Sequence, residues 1–140
     1  MQFELDSRLK NDTHLIGQNE NALLLMMNDS RYPWFIVVPQ RPDACEWFDL
    51  PQDEQIRLHL DCVQLGHCVQ RAFACEKINV AALGNIVRQL HVHVVGRTTG
   101  DPAWPGPVWG HSPGVACSAS LLDQRKATLF AQTDLPFTPL

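Results

Sequence analysis

The stretch Gln89-Leu90-His91-Val92-His93-Val94-Val95 constrains this chain more than any other. Polar and aliphatic residues alternate through it, which is the period of an extended strand whose side chains point to opposite faces in turn. Gln89, His91 and His93 then share one face, and Leu90, Val92 and Val94 share the other. Three aliphatic side chains in register require a buried face, so this strand must lie on a hydrophobic core. Two imidazoles and an amide project together from that platform, and chemistry that depends on close placement benefits from such a rigid mount. By itself, a His-x-His pair on a strand serves either as two ligands of a metal site or as catalytic groups. Single histidines are usually structural or exposed, which is the reading for His14, His59, His67 and His111.

The rest of the chain supplies the setting. Residues 12–18 read as a short strand, and 22–27 and 34–39 as two compact apolar strands joined by a polar loop, Asn28-Asp29-Ser30-Arg31-Tyr32-Pro33. Apolar character on both faces marks these as central strands, and a loop longer than a tight turn needs is a place for function. Residues 44–50 suggest a short helix or turn. From Pro51, suited to a first helical turn, to about Phe73 the spacing predicts one long helix. Its stripe is Leu58, Cys62, Leu65, Val69 and Ala72, widened by Ile56, Leu60 and Val63. Residues 77–82 read as a strand and Gly84-Asn85 as a turn. The Pro- and Gly-rich segment 98–110 excludes regular structure, although Trp104 and Trp109 must pack on something: they could stack on a base or fill a dimer seam, with seam or core the preferred reading. Residues 117–131 suit a C-terminal helix. The order of elements gives an α+β fold: an antiparallel sheet of about five strands with one long helix and a shorter C-terminal one.

Size and charge narrow the function. A chain of 140 residues fits one domain, with a core at about 12–97 and a tail of 98–140. The net charge of −4 argues against non-specific nucleic-acid binding, which needs a basic face, yet it leaves room for a small phosphate substrate in a locally positive pocket. The N-terminus lacks the basic-then-apolar pattern of a secretory signal, and no apolar run approaches the length that spans a membrane. Cys45, Cys62, Cys68, Cys75 and Cys117 form no Cys-x-x-Cys pair, and five cannot all pair within one chain. Reduced thiols in the cytoplasm are the economical reading, with Cys62 and Cys68 packed as small apolar groups.

With its surroundings, the segment Gly84-Asn85-Ile86-Val87-Arg88-Gln89-Leu90-His91-Val92-His93-Val94-Val95-Gly96-Arg97 resembles the signature of the histidine-triad (HIT) superfamily, His-φ-His-φ-His-φ-φ after a glycine loop. The hairpin entered at Asn28, the strand ending at Pro39, the Asp49-Leu50-Pro51 lead-in and the long helix follow in the family's order. The resemblance implies a HIT-like fold and a nucleotide hydrolase or nucleotidyl transferase that needs no cofactor and no metal. The substrate would be a dinucleoside polyphosphate or nucleoside phosphoramidate carrying a purine nucleotide, the AMP moiety. His91 matches the nucleophile that attacks the α-phosphorus and forms a nucleotidyl-histidine. His93 matches the third histidine, a donor to phosphate or leaving-group oxygen. Gly84 and Asn85 match the loop that approaches the phosphates, Asn79 an upstream phosphate contact, and Asn28 or Asp29 the ribose-binding position. The resemblance further implies a homodimer whose sheets continue across the interface while the long helices pack together.

Three positions depart from the family pattern. Gln89 replaces the first histidine, Ile86 stands where many members have Ser or Thr, and Trp34 lies about where the hairpin strand often carries a histidine. The first is tolerable, because in the family the nucleophile's other ring nitrogen donates to the backbone carbonyl at that position, and a carbonyl survives any substitution. Arg97 shares the face of His91 only if the strand runs regularly past Gly96, in which case it is a candidate anion-steering charge. Two other readings stand beside the enzyme: a nucleotide-binding module with little turnover, and a His91–His93 metal site completed by a distant residue such as Asp29.

Overall fold

Two runs that are apolar on both faces must lie inside a sheet covered on both sides, and Ala22–Met27 (β2) and Trp34–Pro39 (β3) do so. Both are buried almost throughout and pair antiparallel, with Ala22 opposite Pro39 and Met26 opposite Phe35. The computed structural model describes all 140 residues. Thr13–Gln18 (β1) flanks β2, with a bulge between Leu15 and Gly17. On the other side, Val92–Arg97 (β5) flanks β3, placing His93 opposite Ile36. Lys77–Ala81 (β4) forms the edge beyond β5. A two-residue strand, Thr138–Pro139 (β6), pairs with β1, so the sheet has six strands in the order β4-β5-β3-β2-β1-β6. The sequence leads to about five because two residues leave no readable period.

Gln52–Phe73 (α2) covers one face of the sheet. Leu58, Cys62, Leu65, Cys68 and Val69 of α2 pack on Leu24, Met26, Phe35, Val37, Val92 and Val94. Ala119–Phe130 (α3) adds Leu129 to the same core, and the Ser118 hydroxyl caps it by accepting from the backbone N–H of Leu121. The opposite face, with Leu23, Leu25, Trp34, Ile36, Val38 and Val95, is covered by thinner material. Leu9 comes from a six-residue helix, Ser7–Asp12 (α1), and Ala103 and Val108 from the Pro/Gly-rich segment.

Three expectations need correction. Ile56, Leu60 and Val63 do not widen the buried stripe of α2; each is about half exposed (54–55%) on the side away from the core. At 3.6 residues per turn these positions fall opposite Leu58, Cys62 and Leu65. Pro51 is the N-cap of α2 rather than a residue of its first turn. The histidine strand begins at Val92, three residues later than the alternation suggests, and runs on through Arg97. Residues 89–91 have no ladder partners, since β4 ends at Ala81 opposite His93 and the β3 pairing ends with Val37 opposite Val92. Alternation still assigns the faces, for Leu90, Val92 and Val94 share the α2-side core.

Gly96 marks how closely β5 meets its cover. A Cβ at this position would overlap Cys75 Sγ and lie 2.8 Å from Pro33 Cγ and 3.3 Å from Val69 Cγ1. Two of these neighbours are ring or branched atoms packed in a strand-helix interface, so relief requires movement of backbone. Gly96→Ala is therefore expected to destabilise the fold by about 2 kcal/mol, within the usual cost of overpacking, read as a lower denaturation midpoint at unchanged m-value.

Candidate functional site

His91 and His93 emerge on the thinly covered face at the start of β5, both buried, with ring centroids 5.0 Å apart. Each imidazole is fixed by one hydrogen bond through Nδ1, and the two bonds have opposite sense. His91 Nδ1 lies 2.6 Å from the backbone oxygen of Gln89. A carbonyl can only accept, so in the neutral ring Nδ1 carries the proton and Nε2 keeps a lone pair. For His93 the partner is the indole of Trp34, whose Nε1–H donates to Nδ1 at 2.9 Å. An indole can only donate, so His93 presents Nε2–H. The pair thus offers one nucleophilic lone pair beside one hydrogen-bond donor. The accepting atom is a backbone oxygen, and it meets His91 with glutamine at position 89.

Burial pushes the His93 pKa down to about 3, and the neighbouring His91 adds to the shift. Trp34 works in the same direction, because protonating Nδ1 would set two donors against each other. His93 is walled in by Trp34 and Trp109, whose rings lie 5.7 and 5.4 Å from it.

Two hollows open on either side of the pair. The larger, about 450 Å³, is bounded by His93, Trp34, Met27, Trp109, Val108, Asn28, Asp29 and Arg31, with Asn11, Asp12, Gly110, Ser112 and Gly114 at its margin. The smaller, about 180 Å³, is bounded by His91, Gln89, Leu90, Gly84, Leu83 and Ala82, with Cys45, Glu46 and Trp47 opposite. Gly84 has φ +76°, a conformation that suits glycine and shapes this second wall.

The sequence-derived positions therefore divide. His93, Asn28 and Asp29 meet at the larger hollow, and His91, Gln89 and Gly84 at the smaller. Asn28 Oδ1 accepts from the backbone N–H of Cys117, leaving the Nδ2 amide without a protein partner. The buried Asp29 carboxylate accepts from the backbone and guanidinium of Arg31. Burial opposes its ionisation, but these bonds together hold its pKa below the ordinary range. Asn85 is exposed and lines neither hollow. Asn79 shares the face of His93 but lies two residues farther down β4, where its Oδ1 accepts from Arg97.

Gln89 does not project beside the imidazoles. Its side-chain amide turns to the N-terminal segment instead, Oε1 accepting from Asp6 N at 2.9 Å and Nε2 donating to the Glu4 carbonyl at 2.9 Å. Arg97 does lie on the His91 face, yet it is 2% exposed and bound to Asp101 through two nitrogens. Its guanidinium also faces the rings of Tyr32 and Trp104. Such a cation is a structural anchor rather than a steering charge, and the Asp101 hydrogen bonds raise its pKa further.

Several contributors carry little or no signal in the sequence. Trp109, Val108, Ser112 and Gly114 of the Pro/Gly-rich segment form a wall of the larger hollow. Arg31 bridges Asp29 to the Ser112 side chain. Arg125 of α3, buried and with its pKa lowered by desolvation, donates to the carbonyls of Asp29 at 2.8 Å and Ser30 at 2.7 Å. Removing a guanidinium from water costs several kcal/mol, and here that cost is offset by fixing the loop that borders the hollow. Only the two tryptophans and the length of the 28–33 loop hinted at this. No third His, Cys, Asp or Glu side chain joins His91 and His93 in a metal-holding group.

Known proteins resemble the chain along most of its length. The HIT domain family model matches residues 8–100. A histidine triad protein from Bradyrhizobium japonicum has 40% identity and a TM-score of 0.92, over 94% of this chain and 98% of that one. A histidine triad protein from Sinorhizobium meliloti has 43% identity and a TM-score of 0.90, over 92% and 96%. Another from Marinobacter aquaeolei has 42% identity and a TM-score of 0.92, over 96% and 97%. No curated protein matches the chain.

The His93 environment has a measurable consequence. Its pKa is about 3 in the folded protein against 6.5 in the unfolded chain. Between those values the unfolded state binds the extra proton, so this residue makes stability fall as pH drops from about 6.5 toward 3. His93→Asn should show a shallower loss of unfolding free energy from pH 6.5 to 5 than the unsubstituted protein, measured by urea titration. Equal slopes would place the acid sensitivity elsewhere.

Proposed function

The chain belongs to the histidine-triad (HIT) family, and on that premise we propose that it is a nucleotide hydrolase or nucleotidyl transferase acting at an α-phosphate, with His91 as nucleophile. The observation that carries this reading is the pair of opposed tautomers, a lone pair on His91 Nε2 next to an N–H on His93 Nε2. The nucleoside occupies the larger hollow, whose volume falls within the range of roughly 300–1,000 Å³ typical of ligand sites. Asn28 and Asp29 stand at its polar margin to meet the ribose. The lone pair of His91 attacks the α-phosphorus, the P–O or P–N bond to the leaving group breaks, and the leaving group departs with its electron pair. Water then attacks the phosphorus of the nucleotidyl-histidine, releasing the nucleoside monophosphate and restoring His91.

His93 serves this sequence as a neutral donor. With a pKa near 3 it holds its Nε2 proton across the neutral range and donates to a phosphoryl or leaving-group oxygen without becoming a cation. The substrates in this reading are dinucleoside polyphosphates and nucleoside phosphoramidates with an AMP moiety. A homodimer belongs to the same proposal: β4 is a free sheet edge, and Ile56, Leu60 and Val63 form an outward apolar row on α2. No helix is long and apolar enough to cross a membrane; the proposal sets the protein in the cytoplasm, where its five free thiols would stay reduced.

The test is release of AMP from diadenosine tetraphosphate and from an adenosine phosphoramidate by metal-stripped protein. His91→Ala is expected to lower turnover about a thousandfold or more while AMP affinity changes only a few-fold. The preferred compound names the leaving group. Full activity in His91→Ala would remove the mechanism, and AMP binding with no turnover of either compound would favour a binding module.

A further inference from the structure

The residue that replaces the first motif histidine has taken both of its side-chain hydrogen bonds away from the site, and their destination suggests a role. Gln89 holds the backbone of Glu4 and of Asp6 at once, one bond donated and one accepted. A second tie joins the same two segments, Arg8 Nη1 to the Ile86 carbonyl at 3.0 Å. The N-terminal residues therefore form a strap fastened along the loop that precedes β5.

That loop bears the carbonyl on which His91 depends. Residues 89–91 lie outside the sheet ladder, so the peptide between Gln89 and Leu90 is not held by strand pairing. Its N–H donates to the Ala44 carbonyl at 2.9 Å, and its C=O receives His91 Nδ1–H at 2.6 Å. One peptide plane is thus pinned on one side and orients the imidazole on the other. The Gln89 side chain supplies the remaining anchor, at the Cα of the same peptide. The strap also carries Asp6, whose carboxylate is within electrostatic reach of His91.

We propose that Gln89 is a positioning residue, its side-chain clamp on the Glu4–Asp6 backbone coupling an N-terminal strap to the peptide that sets the tautomer and direction of His91. The inference rests on the reading of His91 as the nucleophile for its effect on rate, but not for its effect on the ring. Gln89 accordingly acts through His91 and does not touch substrate. The glutamine amide carries in one side chain both the donor and the acceptor that the two bonds require.

The experiment uses the full chain with Gln89→Leu, which removes both bonds at similar volume, and Gln89→Glu, which keeps only the acceptor. Nitrogen-15 NMR of His91 reports its tautomer, exchange of the Asp6 amide reports the strap, and steady-state kinetics separate kcat from KM. In Gln89→Leu the Asp6 amide should exchange about fivefold to tenfold faster, the size expected for one lost hydrogen bond. The Nδ1–H tautomer of His91 should lose its dominance, and kcat should fall about tenfold with KM within twofold. Gln89→Glu should lie between this variant and the unsubstituted protein, and it keeps the test open if the leucine variant does not fold. A freed strap with an unchanged His91 tautomer overturns the proposal, as does an Asp6 amide that stays protected in both variants. Failure of the nucleophile reading is separate: His91→Ala would retain turnover while the tautomer response to Gln89 persisted.

Discussion

The site depends on two hydrogen-bond partners that each have only one possible sense. A backbone carbonyl accepts and an indole N–H donates, so the rings of His91 and His93 are driven into opposite tautomers without any titratable neighbour deciding the matter. Had either partner been a histidine, a hydroxyl or a carboxyl group, its own proton could move and the pair would have several states. Here the sheet delivers both partners. β3 carries Trp34 opposite Val95, two residues along from Ile36, which faces His93, and the loop before β5 carries the Gln89 carbonyl.

Much of the scaffold was legible because its signals are periodic. The two apolar runs gave β2 and β3 with their bounds, and the Leu58-Cys62-Leu65-Val69 spacing gave α2. Alternation through 90–95 assigned faces correctly even where the ladder is missing, since side-chain direction follows local extension rather than pairing. Alternation exposed the histidine pair, and the match over residues 8–100 shows the family that the resemblance named. The outer row of α2 misled for a definite reason: Ile56, Leu60 and Val63 are apolar and helically spaced, and spacing alone does not say which of two apolar rows faces the sheet.

What the sequence withheld was contributed by segments without a period. The six residues of α1 are too few to show one. The 98–110 segment reads as irregular, and the irregular path, which continues to α3, places Trp109 against His93 and Ser112 beside Arg31. Arg125 is the clearest case. A charged residue on a helix is ordinarily solvated, and nothing within α3 distinguishes this one. Only three-dimensional proximity shows its guanidinium taking two carbonyls of the 29–30 loop, nearly a hundred residues away in sequence. Contacts of that span are set by packing, and local composition carries no trace of them.

The departures from the family pattern gain meaning when taken as a set. At position 89 the atom that meets His91 Nδ1 belongs to the backbone, so the contact is made with glutamine there while the side-chain amide fastens the N-terminus. At position 34 an indole stands where a histidine is common, and it removes an ambiguity. An imidazole partner could donate or accept according to pH, whereas Trp34 only donates and so holds His93 as a neutral Nε2–H donor. Burial acts in the same direction through desolvation, bringing the His93 pKa to about 3. The proton arrangement of the pair is thus set by a backbone carbonyl and an indole. Such an arrangement suits the proposed chemistry, in which the placement of one lone pair is what the two fixed partners secure.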